Sequence, residues 1–247
     1  MASSTSTSSN CVDSVLNALE NLDGLWDLNV YQSEQLKREY RLMRTFLLCA
    51  RIWNTSDNNE HVSYLESFMS KLEADIHKLA LRLQIEQKTD RVFNKRLFIL
   101  TRRVQSSIKS FKQTINHFYF IFSNSLSQTS NCLTGHELME LIDSVLENLV
   151  DVLLCIFGYD DQDLLELCKD LQEKLRFFHS LIRFAVLRVV EQRQLGAALS
   201  HINSVALNAA DLFSMCWFDI KGEQVSNQVQ YKISELLQKI NPFDPQV

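Results

Sequence analysis

Apolar residues recur along this chain at steps of three and four almost from end to end, which is the spacing of a helix face turned towards a core. In "DLQEKLRFFHSLI" (residues 170–182), Leu171, Leu175, Phe178 and Ile182 fall at such steps. In "QLKREYRLMRTFL" (35–47), Leu36, Tyr40, Met43 and Leu47 fall at the same steps, with Arg41 where the later stretch has Arg176. The same helix face is thus written twice, about 135 residues apart.

The rest of the pattern predicts further helices. "CVDSVLNALENL" (11–22) reads as a short amphipathic helix closed by Asp23 and Gly24. Ser33 and Glu34 open a second helix that runs to about Trp53, and "NTSDNN" (54–59) is a loop. A third helix carries Val62, Leu65, Phe68, Met69, Leu72, Ile76, Leu79 and Leu83 on one side. The fourth is the most regular, with Phe93, Leu97, Leu100, Val104, Ile108, Phe111, Ile115, Phe118 and Phe122 in register. Its "FYFIF" run (118–122) is apolar all round, the mark of a buried helix end, although such a run also suits insertion into a membrane or a groove.

After "SNSLSQTSNCLTG" (123–135), Thr134 and Glu137 have capping-box spacing ahead of Leu138, Leu141, Ile142, Val145, Leu146 and Leu149. Gly158 ends that helix, and "YDDQD" (159–163) starts the next, which continues towards Arg188. Two more follow, around 195–218 and 225–240, separated by Gly222.

Composition sharpens this to an all-α fold. Both prolines, Pro242 and Pro245, lie in the last six residues, and the chain holds only five glycines. A chain of this length at ordinary usage would carry about twelve prolines. Proline breaks helix interiors and glycine weakens them, so their scarcity favours long helices. The expected organisation is a flexible tail at 1–10, a helical bundle at 11–124, a linker at 125–134, a second bundle at 135–241 and an exit linker at 242–247. Each bundle has about four helices. "DSVLNALENL" (13–22) and "DSVLENLVDVL" (143–153) each precede one of the matched stretches, so the two bundles read as an internal duplication. The competing reading is that amphipathic helices resemble one another by default.

Charge bears on partners. The net charge of −5 argues against a general nucleic-acid binder, and no segment reaches the roughly 18 apolar residues of a membrane span. "MASSTSTSSN" lacks the basic start and apolar segment of a secretory signal. Six scattered cysteines without a C-x-x-C pair fit a reducing, intracellular and specifically cytoplasmic setting. Residues 91–136 hold Arg91, Lys95, Arg96, Arg102, Arg103, Lys109 and Lys112 and no carboxylate. The following 37 residues hold eleven Asp and Glu against Lys169 alone. The seven cations are the candidate partner-binding residues, against the plainer reading that charged faces are simply solvated.

Catalytic and cofactor signals are weak. Glu73 and His77 share a face, but the paired Glu-x-x-His pattern of a bundle metal site is missing. His179 and His201 sit near apolar positions and read as core or boundary residues. No nucleophile elbow, zinc-protease, dinucleotide or phosphate-loop motif occurs, so no enzyme, cofactor or metal is expected.

"ELMELIDSVLENLVDVLLCI", followed by "LLELCKDLQEKLRFFHSLIRF", resembles the extended N-terminal domain of nightshade-family immune receptors of the coiled-coil, nucleotide-binding, leucine-rich-repeat class. The shared pattern is an "IDSVLENL"-like helix, an acidic turn, then L-x-x-x-L-R-F-x-x-S-L/F, here Leu171 to Leu181. The resemblance is strongest over 137–186 and weaker over 13–50. It implies a non-enzymatic recognition module, acting in defence and the hypersensitive response. Its implied partners are pathogen effectors, a viral movement protein among them, and the coiled-coil, nucleotide-binding or leucine-rich-repeat domains of the same receptor. It also implies a part in autoinhibition. The alternative is a structural scaffold that self-associates through its long helices.

Overall fold

A computed structural model of the chain describes residues 13–18, 31–53, 59–87, 95–126, 133–151, 162–188, 192–218 and 223–240. Among these residues eight helices and no strands are found. They are α1 (13–18), α2 (Tyr31–Trp53), α3 (Asn59–Gln87), α4 (Lys95–Leu126), α5 (Gly135–Asp151), α6 (Gln162–Arg188), α7 (Gln192–Phe218) and α8 (Glu223–Ile240). The fold is all-α, as the scarcity of proline and glycine requires. Helix α2 begins two residues before its predicted Ser33 cap, and α4 continues four residues beyond Phe122. The predicted terminal segments, the turns at Gly24, Gly158 and Gly222, and most of both interhelix loops lie outside the described residues.

Two compact units emerge. One comprises Met1–Tyr40 and Ala50–Ser127, the other Arg41–Cys49 and Gln128–Val247. In the first, α3 packs along α4. Met69, Leu72, Ile76 and Leu79 are buried in α3, and Val104, Ile108, Phe111 and Ile115 in α4, so the three-four seams face inward. Phe93 and the "FYFIF" side chains lie outside the described set. Ser14 of α1 donates to Glu73 (2.5 Å), and Ser107 of α4 donates to the buried Asp75 of α3 (2.7 Å). A buried carboxylate is tolerable only with such a partner.

In the second unit α5 packs on α6 and α7, and α8 closes over both of these. The two matched stretches behave alike on their first face. Leu36, Tyr40, Met43 and Leu47 are buried, and so are Leu171, Leu175, Phe178 and Ile182. Helix α5 starts where its cap specifies. The Glu137 N–H donates to Thr134 Oγ1 (3.3 Å), the Thr134 N–H donates to Glu137 Oε2 (2.9 Å), and the Leu138 N–H closes on the Thr134 carbonyl (2.9 Å). Among the described residues no helix is long and apolar enough to cross a membrane.

Candidate interaction surfaces

The cations singled out from the sequence lie on α4 or just before it. Arg102, Arg103 and Lys109 are exposed, with Arg102 and Lys109 two turns apart on one side of the helix. Lys112 is half-buried, and that burial lowers its ammonium pKa below the usual lysine value, against a smaller upward pull from Glu39. Lys95 and Arg96 are in the first turn of α4, with side chains outside the described set, and Arg91 lies outside it altogether. Described α4 neighbours on this face are small or polar (Ser106, Ser110, Gln113 and Asn116, all exposed), so the described part of α4 is a cationic strip to which the helix itself contributes no carboxylate.

The second surface belongs to the second unit. A groove of about 460 Å³ is lined by Arg44 of α2, Gln172 and Arg176 of α6, and Glu140, Asp143 and Glu147 of α5, with Leu146 supplying apolar wall. Arg44 Nη1 donates to Glu147 (3.4 Å), and His179 Nε2 stands 3.3 Å from Asp143 Oδ1. Arg44 and His179 occupy matching positions of the two repeated stretches, and each meets a carboxylate of α5, one turn apart. The groove is mixed in charge and open to water. It offers hydrogen-bonding and ion-pairing groups, but no described nucleophile beside a base, so it suits docking of polar groups rather than bond-making.

Beneath the groove runs a buried polar chain that sequence reasoning missed. Thr45 and Ser144 share a hydrogen bond (2.7 Å), and the Asn148 amide donates to Thr45 Oγ1 (2.8 Å), to the Arg41 carbonyl (3.2 Å) and to the Ser144 carbonyl (2.9 Å). All three side chains are buried. The available signal was Ser144 and Asn148, four residues apart inside the apolar run of α5. Polar residues kept at core spacing need partners. Phe46 packs beside them, its ring 5.6 Å from Trp217 and 5.5 Å, edge-on, from Phe218.

Cys49, Cys168 and Cys216 are buried thiols outside any disulfide. Burial pushes the Cys216 thiol up to about 12 and the Cys49 thiol higher still, with Asp211 adding to the latter, so neither is an activated nucleophile. Among the described residues no three His, Cys, Asp or Glu side chains are grouped to hold a metal.

The class these features define is an all-α protein with apolar seams inside and charged helix faces outside. A family model described as "NB-LRR: Late blight resistance protein R1" matches residues 105–247, more than half of the chain. The chain belongs to that family, and is a relative of plant NB-LRR resistance proteins. Neither curated proteins nor solved structures gave a match.

Proposed function

We propose that this chain is a non-enzymatic recognition and regulatory module of an intracellular plant immune receptor, of the kind found in the tospovirus-resistance receptor of tomato. It binds a pathogen effector, a viral movement protein in the first instance, and contacts other domains of its own receptor to keep it inactive until the effector arrives. Family membership supports the receptor setting. The observation that carries the binding mode is the α4 strip, where Arg102, Arg103 and Lys109 stand exposed in a stretch without carboxylates. A partner with a complementary acidic patch is steered to such a strip and held in register by it.

The test is capture of a viral movement protein by the isolated chain and by the Arg102→Glu/Arg103→Glu variant. Capture by the wild type, weakened in the variant at unchanged melting temperature, supports this reading. Failure of the isolated chain while the whole receptor binds removes it. Light scattering separates it from a self-assembling scaffold, because a recognition module stays monomeric at micromolar concentration.

A further inference from the structure

The two matched stretches differ on the side opposite their shared core seam. On α2 that side carries Leu42, Thr45, Phe46 and Cys49, all buried. Helix α5 covers it through Ser144 and Asn148 on Thr45, and α7 through Trp217 on Phe46. The matching positions of α6 are Phe177, Ser180, Leu181 and Phe184. The local geometry is the same, down to the hydroxyl of Ser180 donating to the Arg176 carbonyl (2.9 Å) as that of Thr45 donates to the Arg41 carbonyl (3.2 Å). Yet Phe177 is 42% and Phe184 51% exposed, Ser180 is exposed and Leu181 is half-buried.

This side of α6 is not apolar throughout. Its first half presents exposed Asp163, Glu166, Asp170 and Glu173, and the apolar seam begins only at Phe177. Exposed Arg176 and Arg183, seven residues apart, run along one edge of the seam. Half-exposed aromatic rings beside arginines form the residue set that anchors protein interfaces. A seam at four- and three-residue steps accepts another helix, as α5 and α7 show on α2. Guanidinium groups on its edge select carboxylates, which they hold in paired hydrogen bonds.

We propose that the outward face of α6 formed by Phe177, Leu181 and Phe184 is a docking site for an amphipathic helix of another protein, one whose apolar stripe is edged with Asp or Glu. The site is separate from the α4 strip and does not depend on it.

The probe is a lactam-bridged 14-residue helical peptide with leucines at three-four spacing and a glutamate edge, labelled with fluorescein and titrated with the full chain. Saturable anisotropy is expected, about tenfold weaker for a peptide with a lysine edge and for the Arg183→Glu chain, and lost for Phe177→Ser. Far-UV circular dichroism and melting of the chain variants should match the wild type, since the replaced side chains are exposed. Should Phe177→Ser misfold, the comparison of the two peptides on the unaltered chain still decides. Equal binding of glutamate- and lysine-edged peptides, or no saturable binding, overturns the proposal. So does sedimentation showing a dimer of the chain that Phe177→Ser dissociates, since the occupant would then be a second copy. Neither result bears on capture through Arg102 and Arg103.

Discussion

Asn148 has no exposed surface, and its amide serves three acceptors on two helices. Without it Thr45 keeps its bond to Ser144 and the Arg41 carbonyl keeps the Thr45 hydroxyl, while the buried, unpartnered Asn148 Oδ1 disappears. The cost is that of lost hydrogen bonds and of the space the amide leaves, not of a stranded polar group. Asn148→Ala should therefore lower stability by about 1–2 kcal/mol in urea titrations, whereas Glu147→Ala, which removes the more exposed Arg44 pair, should cost at most about 1 kcal/mol. The thiols give a second residue-scale outcome. Cys216 ionises near 12 in the fold against an ordinary value of 9.0. Above pH 9 the unfolded chain releases the proton that the folded chain keeps, so stability is full below that pH and falls as pH rises further. The loss should approach about 1.4 kcal/mol per pH unit from this thiol in alkaline denaturation, and iodoacetamide at pH 8 should label the described cysteines only as fast as the protein opens.

At the scale of the element, α5 concentrates most of what local sequence specifies. Thr134→Ala removes the cap acceptor of Glu137 N–H and should cost about 1 kcal/mol by thermal melting. Gly135 follows directly, and a Cβ there would meet Val186 Cγ2 at 2.5 Å. Alanine is the better helix former by about 1 kcal/mol, yet the overlap with a stiff branched side chain should make Gly135→Ala a net loss, recovered by adding Val186→Ala. Caps and apolar seams are local, so the presence of α2 to α8 and the inward faces of α2 to α6 were legible in the residues. The starts of α2, α7 and α8 fall two or three residues earlier than the spacing indicates. What covers a second face is not local. Nothing in "RLMRTFLLC" says that Thr45 meets Ser144 about a hundred residues away, or that Phe46 meets Trp217 while the matching Leu181 stays half-exposed. The cationic character of Arg102, Arg103 and Lys109 was likewise readable, but the half-burial of Lys112 beside Glu39 depends on packing that spacing does not encode.

For the whole molecule the consequence is that the second unit is not a continuous stretch of chain. Its core includes Leu42, Met43, Phe46, Leu47, Leu48 and Cys49 of α2 together with residues from Leu138 onward. Cutting the chain within 127–132 would remove Phe46 from Trp217, leave Ser144 and Asn148 facing water or collapse, and expose the apolar surroundings of both. Losing one buried phenylalanine alone costs about 3–5 kcal/mol, a large share of the 5–15 kcal/mol that holds an ordinary domain together. A fragment of residues 128–247 should therefore keep helical signal but lose a sharp melting transition and bind a hydrophobic dye. Adding a peptide of residues 31–53 should restore the transition in a concentration-dependent way, since binding to the folded form alone stabilises by mass action. The same peptide carrying Phe46→Ala and Thr45→Ala should restore little. A fragment that melts cooperatively without the peptide would show that α5 to α8 suffice for a core, and that α2 is an addition to it.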